Sequence, residues 1–372
     1  MWSPSALGAV SSDHPGVLVV DDSALIRRLV ADIVGESGDF RVVGEASSGE
    51  EAIVACLALN PAVVTLDIEM PGLGGLETLG YLMSESPRPV VIVSGGSTRR
   101  GEDLVVQALE LGAVDFVRKP SVGSALDVDT LRTRVLQALR AATQGHIDPP
   151  RVVPRRTWRR EGPLRRRVDT DGEAPATRLL VVATSTGGPK ALMELCSGLA
   201  LPEGAAGVIV QHMPSGFTNT LAQRLNDVAL GRVTESTDGC PVLAGEWTVL
   251  AGGAQWVVTR GHDVARLRVA PEIEGPIRPA ADPLLASAVA VFESRVDAVI
   301  LTGMGRDGAH GSILVRRAGG RVLVQSPETA AIGGMPQAAL DAAGADWCGP
   351  LDRLGAAIST MCASSPHSSR RA

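Results

Sequence analysis

Short runs of β-branched and aliphatic residues alternate with amphipathic segments through the first third of the chain. VLVV from residue 17, RVVGEA from 41, AVVTLD from 62, PVVIVS from 89 and VDFVRK from 114 have the length and composition of strands. Between them, segments such as SALIRRLVADIV and EDLVVQALELG place apolar residues at helical spacing. The alternation predicts a parallel sheet covered by helices. It stops after Gln144, where RVVPRRTWRREGPLRRRVDTDGEAPAT has neither period and predicts an exposed linker. From Arg178 a second series begins with RLLVVATSTGGPKALMEL, continues through GVIVQHMP, WTVLAGG, DAVILTGMGRDG and RVLVQS, and ends near Met361. The expected fold class is therefore α/β with two domains: a doubly wound one over 15–138, a linker over 139–176, and a parallel-sheet α/β domain over 177–364.

The length, 372 residues, suits two domains that each bury a core. A formal net charge of −6 gives no electrostatic footprint for nucleic acid. Cys56, Cys196, Cys240, Cys348 and Cys362 are scattered, odd in number and never spaced as CxxC, which predicts neither a disulfide framework nor a zinc site. The segment up to Pro15 has no basic n-region, and no later stretch is apolar enough to span a bilayer, so a cytoplasmic protein is expected.

In the first domain the chemistry falls at strand ends, where open parallel sheets bind ligands. Asp21 and Asp22 follow VLVV, and Asp67 follows VVTL. Converging carboxylates raise one another's pKa unless a cation offsets them, which makes a hard, oxygen-liking ion such as Mg²⁺ the expected partner. Ser94 and Lys119 end two further strands and offer a hydroxyl and an ammonium to phosphate oxygens. A cis bond at Pro120 would aim Lys119 inward. Singly, Asp22 with Ser23 also reads as a helix cap, Asp67 as a turn residue and Lys119 as a solvated strand-end charge. Five such residues in chain order, gathered at four strand ends, favour the cluster.

VLVVDDS, LDIEMPGLGGLE, VSGGS and DFVRKP resemble the motifs of two-component receiver domains, over residues 16 to about 138. That resemblance implies a flavodoxin-like fold with Asp67 as phospho-acceptor. It also implies Asp21, Asp22, Asp67 and the Glu69 carbonyl as the Mg²⁺ site, and Ser94, Phe116 and Lys119 as switch residues.

In the second domain Ser185 ends LLVVAT and opens a helix, so its hydroxyl stands near free backbone amides. Ala183 occupies the place of the first glycine of G-x-S-x-G, and STGG alone reads equally as a phosphate loop or a cap. His212 follows GVIVQ, and Asp307 lies in LTGMGRDG after AVILT. Alone, the histidine reads as structural and the aspartate as a turn. Together they supply a nucleophile, a base and a carboxylate to orient it, each from a different strand end.

STGG, QHMP and TGMGRDG, with PVLAG, GGMP and IRPAAD, resemble the CheB-type chemotaxis methylesterase family, and the receiver–linker–esterase order matches along nearly the whole chain. The resemblance implies a protein-glutamate methylesterase and protein-glutamine glutaminase in which Ser185, His212 and Asp307 are catalytic. Thr186 and the Met304 amide would be the neighbouring and oxyanion groups, and the esterase reaction would need no cofactor. The implied partners are methyl-accepting chemoreceptors as substrate and a CheA-type histidine kinase as phosphodonor. Three positions depart from the family: Gln255 where His is expected, Ala280 where Ser is usual, and Gly333 where an aromatic is common. They are expected to alter the substrate groove.

Two rival functions share these residues: an esterase in a non-chemotaxis receptor pathway, and a receiver-switched binding module with a vestigial site. The receiver is expected to sit over the esterase cleft until it is phosphorylated. The eight arginines from Arg151 to Arg167 either bind acidic receptor tails or headgroups, or stay solvated as an extended linker, the reading favoured here.

Overall fold

The computed structural model describes residues 14–95, 98–119, 127–144 and 174–363. Pro120, the arginine-bearing linker and the first residues of the chain lie outside them. The first domain is a five-stranded parallel sheet of order β2-β1-β3-β4-β5. Its strands are β1 (Gly16–Val20), β2 (Arg41–Ala46), β3 (Val63–Leu66), β4 (Val90–Ser94) and β5 (Asp115–Arg118). The helices are α1 (Ala24–Gly35), α2 (Gly49–Leu59), α3 (Gly75–Glu85), α4 (Arg99–Glu110) and α5 (Asp127–Gln144). Every residue of β1, β3 and β4 is buried, as expected for central strands covered on both faces. Helix α5 continues to Gln144, so residues 139–144, assigned to the linker from sequence, are helical.

Local chemistry explains the helix starts. Ser23, Ser48 and Thr98 each accept a backbone N–H three residues on, at Ile26, Glu51 and Gly101. The cap of α1 is thus Ser23, which leaves the neighbouring Asp22 exposed at the sheet edge.

The second domain is a seven-stranded parallel sheet of order β14-β13-β12-β6-β7-β9-β8. Its strands are β6 (Arg178–Thr184), β7 (Ala205–Gln211), β8 (Arg232–Glu235), β9 (Glu246–Val249), β12 (Val296–Ile300), β13 (Arg321–Gln325) and β14 (Trp347–Gly349). A separate antiparallel pair, β10 (Trp256–Thr259) and β11 (Arg266–Val269), stands beside it. The helices are α6 (Gly188–Gly198), α7 (Phe217–Val228), α8 (Ala281–Phe292), α9 (Ala309–Arg317), α10 (Gly334–Ala343) and α11 (Leu351–Ala363).

The chain runs outward from β6 in both directions, to β7 and to β12, so the crevice of this sheet lies at the carboxyl ends of those strands. One apolar cluster crosses between the domains, from Val105 and Leu109 of α4 to Leu192 and Leu195 of α6 and Phe217 and Leu221 of α7. The face of the first domain around α4 and β5 is therefore packed against the second.

Candidate active site

Strand register sets the positions of the two groups expected to exchange a proton. Thr184 pairs with Gln211, so Ser185 and His212 leave the sheet side by side. Gln211 Nε2 donates to the carbonyls of Ser185 at 2.9 Å and His212 at 3.3 Å, tying both turns together. The turn after Ser185 passes through Gly187 at φ 77°, a left-handed conformation that favours glycine.

The third residue arrives from β12. His212 Nε2 lies 2.7 Å from Asp307 Oδ2. The same carboxylate accepts the amides of Ala281, at 2.6 Å on Oδ2, and Asp282, at 3.0 Å on Oδ1. These are the first two N–H groups of α8, whose N-cap residue Ala280 has no side-chain acceptor. Asp307 thus caps α8 from another element, and the positive end of the helix holds it ionised. Burial alone would raise this carboxyl, but the His212 contact and the two amides outweigh it and hold it below the usual carboxylate range. With Nε2 committed to Asp307, Nδ1 is the imidazole nitrogen left to act as a base.

Gly303 carries the β12 loop close to the serine: a Cβ there would meet Ser185 Cβ at 2.8 Å. Next to it, the Met304 N–H has no hydrogen-bond partner among the described residues. Thr302 Oγ1 donates to the Thr186 carbonyl at 2.9 Å, a contact no sequence pattern announced.

Of the three positions expected to alter the groove, Ala280 is the N-cap residue of α8. Gln255 is only 4 % exposed and bonds to the Ile277 carbonyl and the Ala280 amide. Gly333 precedes α10 under Pro327, whose Cβ and carbonyl oxygen lie 3.0 Å from where a glycine Cβ would stand.

At the carboxyl edge of the first domain, oxygens of Asp21, Asp22 and Asp67 lie within 4.8 Å of one another. Asp21 and Asp67 are each 2 % exposed. Lys119 Nζ lies 2.8 Å from Asp21 Oδ2 and 2.7 Å from Asp67 Oδ2. Burial raises the Asp21 carboxyl, with the charge of Asp67 adding to it, and Lys119 opposes both only in part. Burial would lower the Lys119 ammonium, yet the two carboxylates outweigh it and raise it. Three hard oxygen donors this close together fit a Mg²⁺ ion. Ser94 Oγ is buried at the end of β4 and has no hydrogen-bond partner among the described residues. Glu69 directs its amide to this site, donating to Asp67 Oδ1 at 3.3 Å.

The two sites meet through β5. Thr186 Oγ1 donates to Asp115 Oδ2 at 2.7 Å, and the Gly187 amide donates to the Val114 carbonyl at 3.1 Å. Phe116 packs on Phe217 with ring centroids 4.6 Å apart. At the rim, Arg224 of α7 pairs with Asp103 at 3.0 Å and Glu110 at 2.7 Å. The space enclosed by Val114, Asp115, Ser185, Thr186 and His212 is about 10 Å³. That holds about one water, against the hundreds of Å³ of a ligand site. The first domain therefore closes the cleft in this conformation.

Comparison with known proteins agrees with this architecture. Residues 180–358 match the family described as CheB methylesterase, and residues 17–129 match the response regulator receiver domain. A Pyrococcus horikoshii protein named protein-glutamate methylesterase/protein-glutamine glutaminase is 38% identical over 344 residues, covering 91% of each chain. A Geobacillus kaustophilus protein of the same name is 40% identical, covering 92% of this chain and 97% of its own. The crystal structure of the Thermotoga maritima CheB methylesterase catalytic domain is 32% identical, with a TM-score of 0.48, and covers 50% of this chain and 98% of its own.

Proposed function

The chain belongs to the CheB methylesterase family, with a receiver domain ahead of the esterase, and from that premise we propose how its residues divide the work. It is a receiver-regulated protein-glutamate methylesterase and protein-glutamine glutaminase serving chemotaxis adaptation. The observation that carries the site assignment is the 2.7 Å contact between His212 and Asp307, with Ser185 on the adjoining strand end.

In this account His212 Nδ1 takes the Ser185 proton as Oγ attacks the γ-carbonyl carbon of a glutamyl methyl ester. The oxyanion forms against the α6 N-terminus and the Met304 N–H. Thr186 lines the same side. Collapse of the tetrahedral intermediate expels methanol, which receives the proton from His212. Water then attacks the acyl enzyme with His212 again as base, releasing the glutamate carboxylate and free Ser185. A glutamine side chain follows the same course with ammonia as leaving group. Asp307 orients the imidazole and offsets its charge when protonated.

In the receiver, Asp67 is the phospho-acceptor, and Asp21, Asp22, Asp67 and the Glu69 carbonyl would hold Mg²⁺. The ion, when bound, offsets the crowded negative charge beside the phosphoryl group. Lys119 and Ser94 bind the phosphoryl oxygens in this account, and Phe116, packed on Phe217, carries that change across the interface. Loss of the closed arrangement then frees Thr186 and the Gly187 amide. Substrates are glutamates of chemoreceptor helices, the phosphodonor is a CheA-type kinase, and the site of action is the cytoplasm; among the described residues no helix is long and apolar enough to cross a membrane.

The assignment is tested with Ser185→Ala and methylated receptor membranes. Methanol release is expected to fall by about 10⁶-fold, the scale for losing a triad nucleophile. Release near the wild-type rate would overturn it.

A further inference from the structure

Gln255 stands one residue before β10, and both polar ends of its buried side chain are engaged. Nε2 donates to the Ile277 carbonyl at 2.7 Å, and Oε1 accepts the Ala280 amide at 2.9 Å. These partners belong to the segment that leads into α8, whose next two amides hold Asp307. A second tie runs from the Gly253 amide to the Arg278 carbonyl, at 3.2 Å.

The same loop also touches the other member of the pair. Gly252 lies so close to Met213 and Pro214, the residues after His212, that a Cβ there would stand 2.3 Å from the Met213 carbonyl oxygen. Thr218 Oγ1 accepts the Gly252 amide at 3.0 Å and fixes the loop in place. Residues 252–255 therefore bear on the segment that carries His212 and on the one that caps Asp307.

We infer that Gln255 is a positioning residue for the esterase reaction, holding the Ala280–Asp282 amides so that Asp307 meets His212 Nε2. The inference rests on the esterase reading of Ser185, His212 and Asp307. Its side chain must give one donor and one acceptor in a dry site. A carboxamide does so, and so does a neutral imidazole. A carboxylate would turn an acceptor toward the Ile277 carbonyl, and an alkyl group would leave both partners unpaired. A displacement of the Asp307 cap by about 1 Å is enough to lower turnover by about 10²-fold. Asp282 extends the same frame, since its Oδ1 accepts the Gly311 amide at 2.7 Å and ties α8 to α9.

The test measures kcat and KM for methanol release by the full chain, treated with a small-molecule phosphodonor and Mg²⁺. Gln255→Leu is expected to lower kcat about 100-fold with KM within about threefold. Gln255→His restores kcat to within about fivefold of wild type, and Gln255→Glu does not. In an Asp307→Ala background, Gln255→Leu costs no more than about threefold further, because residues that act as a unit are not additive. An equal loss in both backgrounds would make Gln255 merely structural and overturn the inference. A change confined to KM, or wild-type kinetics in Gln255→Leu, overturns it too. If Gln255→Leu fails to unfold cooperatively, the contrast between the His and Glu variants decides. A wild type that releases no methanol sinks the esterase reading and this inference together, whereas an active wild type with additive losses sinks this inference alone.

Discussion

Thr186 donates its hydroxyl to Asp115 across the domain interface at 2.7 Å. A residue beside the candidate nucleophile is thus occupied by a carboxylate of the receiver, and the next amide, at Gly187, is occupied by the Val114 carbonyl. Burial in the interface raises the Asp115 carboxyl, while the Thr186 hydroxyl and the Phe116 amide oppose the rise. The closed state therefore combines steric cover with capture of donors that face the cleft.

Removing that contact should loosen the closed state without phosphorylation. Asp115→Ala is expected to raise basal methanol release about tenfold, the effect of losing about 1.4 kcal/mol, the upper end for a typical intramolecular hydrogen bond. Retention of the wild-type basal rate, with normal stimulation by phosphodonor, would show that the contact adds nothing to closure.

The rim ion pairs should matter less. Arg224 meets Asp103 and Glu110 at a partly exposed edge, where screening limits each pair to under about 1 kcal/mol. Arg224→Ala is expected to raise basal release about two- to threefold, and the gain should shrink in about 1 M salt. A gain as large as that of Asp115→Ala would contradict this ranking.

The acidic cluster predicts a metal-dependent stability. Asp21 has a raised pKa, so its folded form holds its proton more tightly, and stability falls as pH rises from about 3.8 toward the folded value. At neutral pH Asp21→Asn is therefore expected to raise Tm by about 2–5 °C without divalent cations. Mg²⁺ should raise the Tm of wild type and leave that of the variant nearly unchanged. Equal Mg²⁺ shifts in both proteins would remove Asp21 from the ion's ligands.

Asp307 has the opposite sign. Its folded pKa lies below the unfolded value, so its charge stabilises the fold above about 3.8 and that contribution is lost as pH falls through the folded value. The Tm difference between wild type and Asp307→Asn should narrow below about pH 3.8. A difference that widens with acid would contradict the pairing with His212 and α8.

Much of this was legible in the chain because strand ends carry their chemistry in order. VLVV-Asp21, VVTL-Asp67, the Ser94 and Lys119 ends, and the Ser185, His212 and Asp307 turns all stand where strand periodicity placed them. Less visible were contacts between segments remote in sequence. Asp115 lies in VDFVRK and reads as an ordinary strand-end residue, although it reaches Thr186, 71 positions away. Gln255 read as a groove residue because sequence gives no burial for a polar side chain in a loop, and its two backbone partners lie more than twenty positions on. The β10–β11 pair and β14 are too short for periodicity to separate them from turns.

The most direct test of the whole account is methanol release from methylated receptor membranes by wild type and Asp67→Ala, each with and without a small-molecule phosphodonor and Mg²⁺. The account predicts release by wild type that rises with the phosphodonor, and a rise that vanishes in Asp67→Ala while basal release persists. No release by wild type in either state, or equal stimulation of both proteins, would contradict it.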